Sequence, residues 1–363
     1  MAVVVRVEDS RDPIHEAFRA YYSLDHHLYI PSHLESREFA YQDFKTGQFV
    51  RHIALSGEGE VRGLLRSKVP GHLYYSTAIY DLPSARNMEE KGWRGSELLF
   101  DIDLDHVEEC SHHIVETPSR SAKIIGDECI RAGIERVRNL INILERDFGI
   151  PRREIQAYYT GNRGFHVKVS YEYCLGLGRE ERRLLVSYIL AENIDLDAIF
   201  PDKKSLPRGA KIAPPVKDDP GWRGWIARLL EPDTMQSSGW REKALRAIEG
   251  FRPPIDVQVT QDTSRLARVP GTLNGKTGFF VASLRDGLSL PLDHRISPFG
   301  GQIKVRALDD VGGVRVFGYS LEMGKNDTQH VPAWMAIYLA LKGIVEMVEG
   351  DIVVRKDTGW RPI

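Results

Sequence analysis

Residues 97–105 read Glu97-Leu98-Leu99-Phe100-Asp101-Ile102-Asp103-Leu104-Asp105, an apolar run that ends in carboxylates at alternate positions. On a β-strand successive side chains face opposite ways, so Asp101 and Asp103 share one face while Ile102 turns into packing. Two like charges side by side repel unless a cation sits between them. Hard divalent cations take oxygen ligands, and a pair of them clamps both ends of a phosphoryl transfer. The stretch therefore predicts a sheet strand that presents a metal-dependent site for chemistry at phosphate. Asp-x-Asp is common, and a strand end opening into a polar loop is the plainer alternative, so the rest of the chain has to decide.

Downstream, Ile130, Ile134, Val137, Ile141, Leu144 and Phe148 step by four and three, which predicts an amphipathic helix that Gly149 and Pro151 end. Residues 154–159 and 166–171 read as two strands joined by Thr160-Gly161-Asn162-Arg163-Gly164. The glycines let the backbone approach a ligand, Arg163 offers a bidentate fork for phosphate, and Thr160 and His166 add donors. His166 and Lys168 share a strand face, so two cations are expected to look into one cleft. The alternative is a Gly-rich hairpin with a surface arginine. A third stretch, 255–260, reads as a strand carrying Asp256, a costly site for an unpaired charge. It leads into Arg268-Val269-Pro270-Gly271-Thr272-Leu273-Asn274-Gly275-Lys276-Thr277-Gly278, a second candidate phosphate cradle. Gly275-Lys276-Thr277 comes one residue too early after Gly271 for a P-loop, which excludes that assignment.

The chain has 363 residues, 42% apolar and 28% charged, enough for a sizeable core of ordinary soluble composition. The first residues lack a signal-peptide pattern, and the longest apolar helix candidate, 334–348, is too short to span a bilayer; a cytoplasmic protein with no membrane partner is expected. Three cysteines argue against a disulfide framework. Net charge is −2, so any nucleic-acid contact needs a local basic surface. Lys203, Lys204, Arg208, Lys211, Lys217, Arg223 and Arg228, with Trp222 and Trp225 among them, are the candidate, against a solvated loop beside a small helical core. The fold class expected is α/β (α+β): mixed β-sheets in residues 1–190 and 250–363, with a small helical subdomain inserted at 191–249. A helix from Ile14 through Tyr22 opens the chain and one over 332–349 nearly closes it.

Taken together the three stretches resemble the catalytic (small) subunit of archaeal and eukaryotic DNA primases. That family carries, in this order, Asp-x-Asp at a strand end, Ser-Gly-x-Arg-Gly-x-His, and a later Asp followed by a basic-Pro run. The segments Arg37-Glu38-Phe39, Arg51-His52 and Met88-Glu89-Glu90-Lys91-Gly92-Trp93 also look like the archaeal branch, and the likeness covers most of residues 15–290.

The resemblance implies primer synthesis on single-stranded DNA from NTPs or dNTPs by two-metal nucleotidyl transfer. Asp101, Asp103 and Asp256 would hold Mg²⁺ or Mn²⁺. Thr160, Gly161, Arg163, His166, Arg268 and Asn274 would bind the incoming nucleotide. Thr160 stands where the family has serine. Asn274 replaces a histidine and can donate a hydrogen bond but carries no charge. The family also implies a large-subunit partner and a zinc knuckle just after Asp-x-Asp. The chain has no Cys-x-x-Cys there; the zinc set is Cys110, His112, His113 and Cys129, with Cys129 as a buried helix residue the alternative. The rival readings are an end-joining repair polymerase of the same superfamily and a carboxylate-metal nuclease, which would need no triphosphate grip.

Overall fold

The computed structural model describes residues 2–107, 110, 112–117, 120–201, 213–284, 286–359 and 361. Mixed helices and antiparallel sheets build the chain, as the alternating and helical periodicities predict. The central sheet runs Ala282–Ser283, Ile155–Tyr159, Gly164–Val169, Leu98–Asp103, every neighbour antiparallel. Leu98, Leu99, Phe100 and Ile102 are buried, whereas Asp101 and Asp103 are only partly so. The carboxylates thus lie at the strand's open end while its body is core. The predicted amphipathic helix is Asp127–Phe148, and Gly149 ends it at φ 65°. It packs against the Gly164–Val169 strand.

A second sheet, Leu266–Arg268, His72–Ser76, Phe39–Gln42, Phe49–Ile53, carries Arg268 opposite Tyr74. Behind these strands lies a buried ionic cluster. Glu97 takes Arg37 at 3.0 Å and Lys168 at 3.1 Å, and Lys168 also reaches the Tyr29 hydroxyl at 2.8 Å. Lys168 therefore points into the core, not into a cleft shared with His166, because Glu97 and Tyr29 supply the partners that a buried ammonium requires. The archaeal-type segments knit together likewise: buried Glu38 pairs with Arg51 at 2.9 Å and Lys91 at 3.2 Å.

Helices Gly221–Leu229, Pro232–Gln236 and Trp240–Phe251 follow residue 212 and pack on one another. Their tryptophans are core: Trp222 donates through Nε1 to the Tyr188 carbonyl and Trp225 to Asp147 Oδ2, each at 2.7 Å. They are not free to stack a base. The closing helix is shorter than expected, Ala333–Leu341, and the chain then enters a long strand, Val345–Arg355. That strand pairs with Ala2–Arg6 and Gln302–Ala307, and β-branched Val345, Ile352, Val353 and Val354 suit it. Among the described residues no helix is long and apolar enough to cross a membrane.

Candidate active site

Register sets the first half of the site. His166 lies directly opposite Asp101, and Gly164 opposite Asp103. His166 Nε2 is 3.8 Å from Asp101 Oδ1. Asp256 joins them differently from the expected strand. Ile255 makes a single bridge to Ile102, the Asp256 N–H donates to the Asp101 carbonyl at 2.9 Å, and Asp256 then caps a short helix, Val257–Gln261. Its carboxylate accepts from the backbone N–H groups of Gln258 (2.9 Å) and Val259 (3.3 Å). The reason is local: Asp is a strong N-cap, and the Ile-Asp-Val-Gln-Val alternation only mimics a strand.

Burial lifts the Asp101 carboxyl to about 6; Arg265 opposes the rise, Asp256 adds to it and Arg268 opposes it. Asp103 accepts from the Asp105 N–H at 3.0 Å. Among the described residues no three acidic, His or Cys side chains are already gathered tightly enough to hold a metal. Asp101 and Asp256 adjoin, while one oxygen of Asp103 is engaged in its own turn.

The Thr160–Gly164 turn lies beside this end. Thr160 donates its hydroxyl to the Gly164 carbonyl at 3.0 Å, so its role is to close the turn. Gly161 sits at φ 80°, where an added Cβ would come 2.8 Å from Asn274 Cβ and 3.0 Å from the Phe280 oxygen; only glycine fits. Arg163 Nη1 is held by Asp105 Oδ2 at 2.7 Å, and Lys123 Nζ meets Asp105 Oδ1 at 2.8 Å. Asp105, which is not among the expected metal ligands, is thus the residue that aims Arg163; the continuing carboxylate alternation was the signal for it. Burial, then Arg268 and Arg265, push His166 down to about 3, so its imidazole is neutral.

Arg268 rests 5.1 Å from the Tyr74 ring centroid, with Nη1 2.5 Å from His72 Nδ1. His72 is driven to about 2 by burial and by Arg268 and Lys276, which leaves it a neutral acceptor. Asn274 departs from expectation. It is fully buried, its Nδ2 donates to the Thr160 carbonyl at 2.8 Å, and its Oδ1 accepts from the Lys276 N–H at 3.0 Å. It locks two turns together and has no face left for a nucleotide. Thr277 completes the lock by donating to the Gly161 carbonyl at 2.5 Å. The adjacent Lys276 is the cation instead. Desolvation and the positive charges of Arg268 and Arg163 hold its ammonium below the ordinary lysine range.

The zinc set does not form. Cys110 and Cys129 are joined in a disulfide, so neither offers a thiolate. His112 and His113 lie in the strand His112–Thr117, and their side chains fall outside the described residues. Of the basic stretch, Lys203, Lys204, Arg208 and Lys211 also lie outside them, while Arg223 is paired with Asp219 at 2.8 Å.

The family described as DNA primase small subunit matches residues 100–286. The DNA primase small subunit PriS of Aeropyrum pernix is 40% identical over 99% of this chain and 100% of its own length. That of Sulfolobus acidocaldarius is 33% identical over 94% of this chain and 97% of its own. Among solved structures, the polymerase domain of Mycobacterium tuberculosis Ligase D in complex with DNA aligns over 77% of this chain and 84% of that one. Its TM-score is 0.38 at 10% identity, too loose a likeness to carry an argument.

Proposed function

We propose, on the premise that this chain belongs to the DNA primase small subunit family, that the Asp101–His166 end of its central sheet makes primers by nucleotidyl transfer. The chain is a nucleotidyltransferase, and primer synthesis on a DNA template is its expected function. The observation that carries the residue-level reading is one juxtaposition. Asp101 and Asp256 meet in backbone contact, Arg265 and Arg268 bear on Asp101, and Lys276, beside Arg268 and Arg163, stands on the adjoining turn. The raised Asp101 carboxyl and the all-oxygen donor set fit a hard divalent cation. Mg²⁺ or Mn²⁺ held by Asp101, Asp103 and Asp256 would lower the pKa of the attacking 3′-hydroxyl and neutralise the departing pyrophosphate.

The chain's own groups do the rest. Arg163, fixed through one nitrogen by Asp105 and 39% exposed, keeps the remainder of its fork for phosphate. Arg268 and Lys276 add charge to the triphosphate grip. Neutral His166 donates a hydrogen bond without repelling the neighbouring arginines. Thr160, Gly161 and Asn274 set the shape of the turn from beneath. A nuclease would have no use for this group of cations. The working form is a heterodimer with a primase large subunit, acting on single-stranded template and primer in the cytoplasm.

The test supplies single-stranded DNA, NTPs, dNTPs and Mg²⁺ or Mn²⁺, with and without the large subunit. Short new strands are expected from the wild type and none from Asp101→Ala, with circular dichroism unchanged. No product from the wild type in either form would sink the assignment, and a fully active Asp101→Ala would remove that carboxylate from the site.

A further inference from the structure

The two-stranded hairpin His112–Thr117 and Arg120–Ile125 lies between the carboxylate strand and helix Asp127–Phe148, where the family resemblance leads one to expect zinc. A structural zinc needs four donors, and thiolate ligands must be free to bind it. Here both sulfurs are spent on each other, in the bond between Cys110 and Cys129, which closes a loop of sequence separation 19. We propose that this disulfide replaces zinc: it ties the segment entering the hairpin to the helix that leaves it, and no zinc binds there.

Three further observations support the substitution. Cys110 and Cys129 are 9% and 1% exposed, so the bond is shielded from soluble reductants. The remaining cysteine, Cys174, is buried in the short helix Glu172–Leu175, which packs against Trp93–Ser96, well apart in the chain. Burial also raises its thiol, which leaves little thiolate to attack the bond. Finally, the stapled hairpin has work to do: its second strand carries Lys123, whose ammonium braces Asp105, which in turn holds Arg163. Cross-linking the residues that flank the hairpin on either side keeps Lys123 at its post without a metal.

Formation is an ordinary dithiol oxidation. One thiolate attacks a low-molecular-weight disulfide and releases its thiol; the second thiolate then displaces the other thiol from the mixed disulfide. The two cysteines lose two electrons and two protons, and the small disulfide is reduced to two thiols.

The test needs no activity measurement. The full chain is expressed in zinc-supplemented medium, alkylated with N-ethylmaleimide in denaturant at lysis and weighed by mass spectrometry. One adduct is expected before reduction and three after it, and elemental analysis of unalkylated protein should find no stoichiometric zinc. The double variant Cys110→Ser/Cys129→Ser should melt about 4 °C lower than the wild type. Wild type reduced with a phosphine in denaturant and refolded with the reductant present should melt at the variant's Tm, and the same treatment should leave the variant unmoved. Three adducts before reduction, or one zinc per chain that the double variant loses, would overturn the proposal.

Discussion

Replacing Asp101 by Asn should stabilise the metal-free protein while abolishing synthesis. The Asp101 carboxyl stands at about 6 against an ordinary 3.8, chiefly because it is desolvated. The folded state therefore holds a proton that the unfolded chain has released. As pH rises through that window the folded protein loses stability, and above about 6 the whole penalty is present. At ~1.4 kcal/mol per unit the gap corresponds to about 3 kcal/mol at pH 7. The side chain is 31% exposed, so water relaxes part of the cost. A gain of about 1–2 kcal/mol for Asp101→Asn is the expected outcome, or roughly 1–3 °C in Tm for a chain of this length. The assay is denaturant unfolding in EDTA at pH 4 and pH 7. The difference between variant and wild type isolates Asp101, since every other titrating group is common to both. The variant's advantage should fade toward pH 4, and added Mg²⁺ or Mn²⁺ should stabilise the wild type more than the variant. A variant less stable than wild type at pH 7 in EDTA, or an advantage independent of pH, would refute the reasoning.

Asn274→Ala leaves the buried Thr160 carbonyl without its donor and should cost about 1–3 kcal/mol in denaturant unfolding. Lys276→Ala should instead leave stability unchanged and raise nucleotide KM in steady-state extension; a stability loss there would make Lys276 structural. Gly161→Ala forces a left-handed φ on alanine and drives its Cβ into Asn274, so about 2–4 kcal/mol of stability should go, with the nucleotide grip. The buried histidines His26, His72 and His166 stand at about 4, 2 and 3. All three lie below the unfolded value, so their stability is complete above pH 6.5 and falls with acid. Net of the opposing Asp101 contribution, these three should add about 2–3 kcal/mol of unfolding free energy per pH unit between pH 5 and 6, and a flat profile there would contradict their burial.

What the sequence made legible was local. The alternation at Asp101 and Asp103, the helical stepping from Ile130 to Phe148 and the glycines flanking Arg163 each encode their own geometry within a few residues. What it hid was decided at long range. Lys168 looks like a partner of His166 until Glu97, 71 residues earlier, claims it. Asn274 looks like a ligand contact until Thr160, 114 residues earlier, takes its amide. Val345 to Val348 prolong an apolar helical pattern, yet a strand is available to them because Ala2–Arg6 and Gln302–Ala307 supply the neighbouring hydrogen bonds. Asp256 was the exception, a local error: its capping chemistry was present in the sequence but outweighed by an alternating pattern.

The lock between the Thr160–Gly164 and Asn274–Gly278 turns also fixes when the site comes into being. Gly275 donates to the Gly71 carbonyl at 2.8 Å, Asn274 to that of Thr160 and Thr277 to that of Gly161, so three widely separated stretches of chain close on one another. During synthesis Asp101, Asp103 and Arg163 emerge long before residue 278. A nascent chain therefore exposes its acidic half early but has no finished pocket to bind a nucleotide, and competence cannot precede the emergence of the last turn.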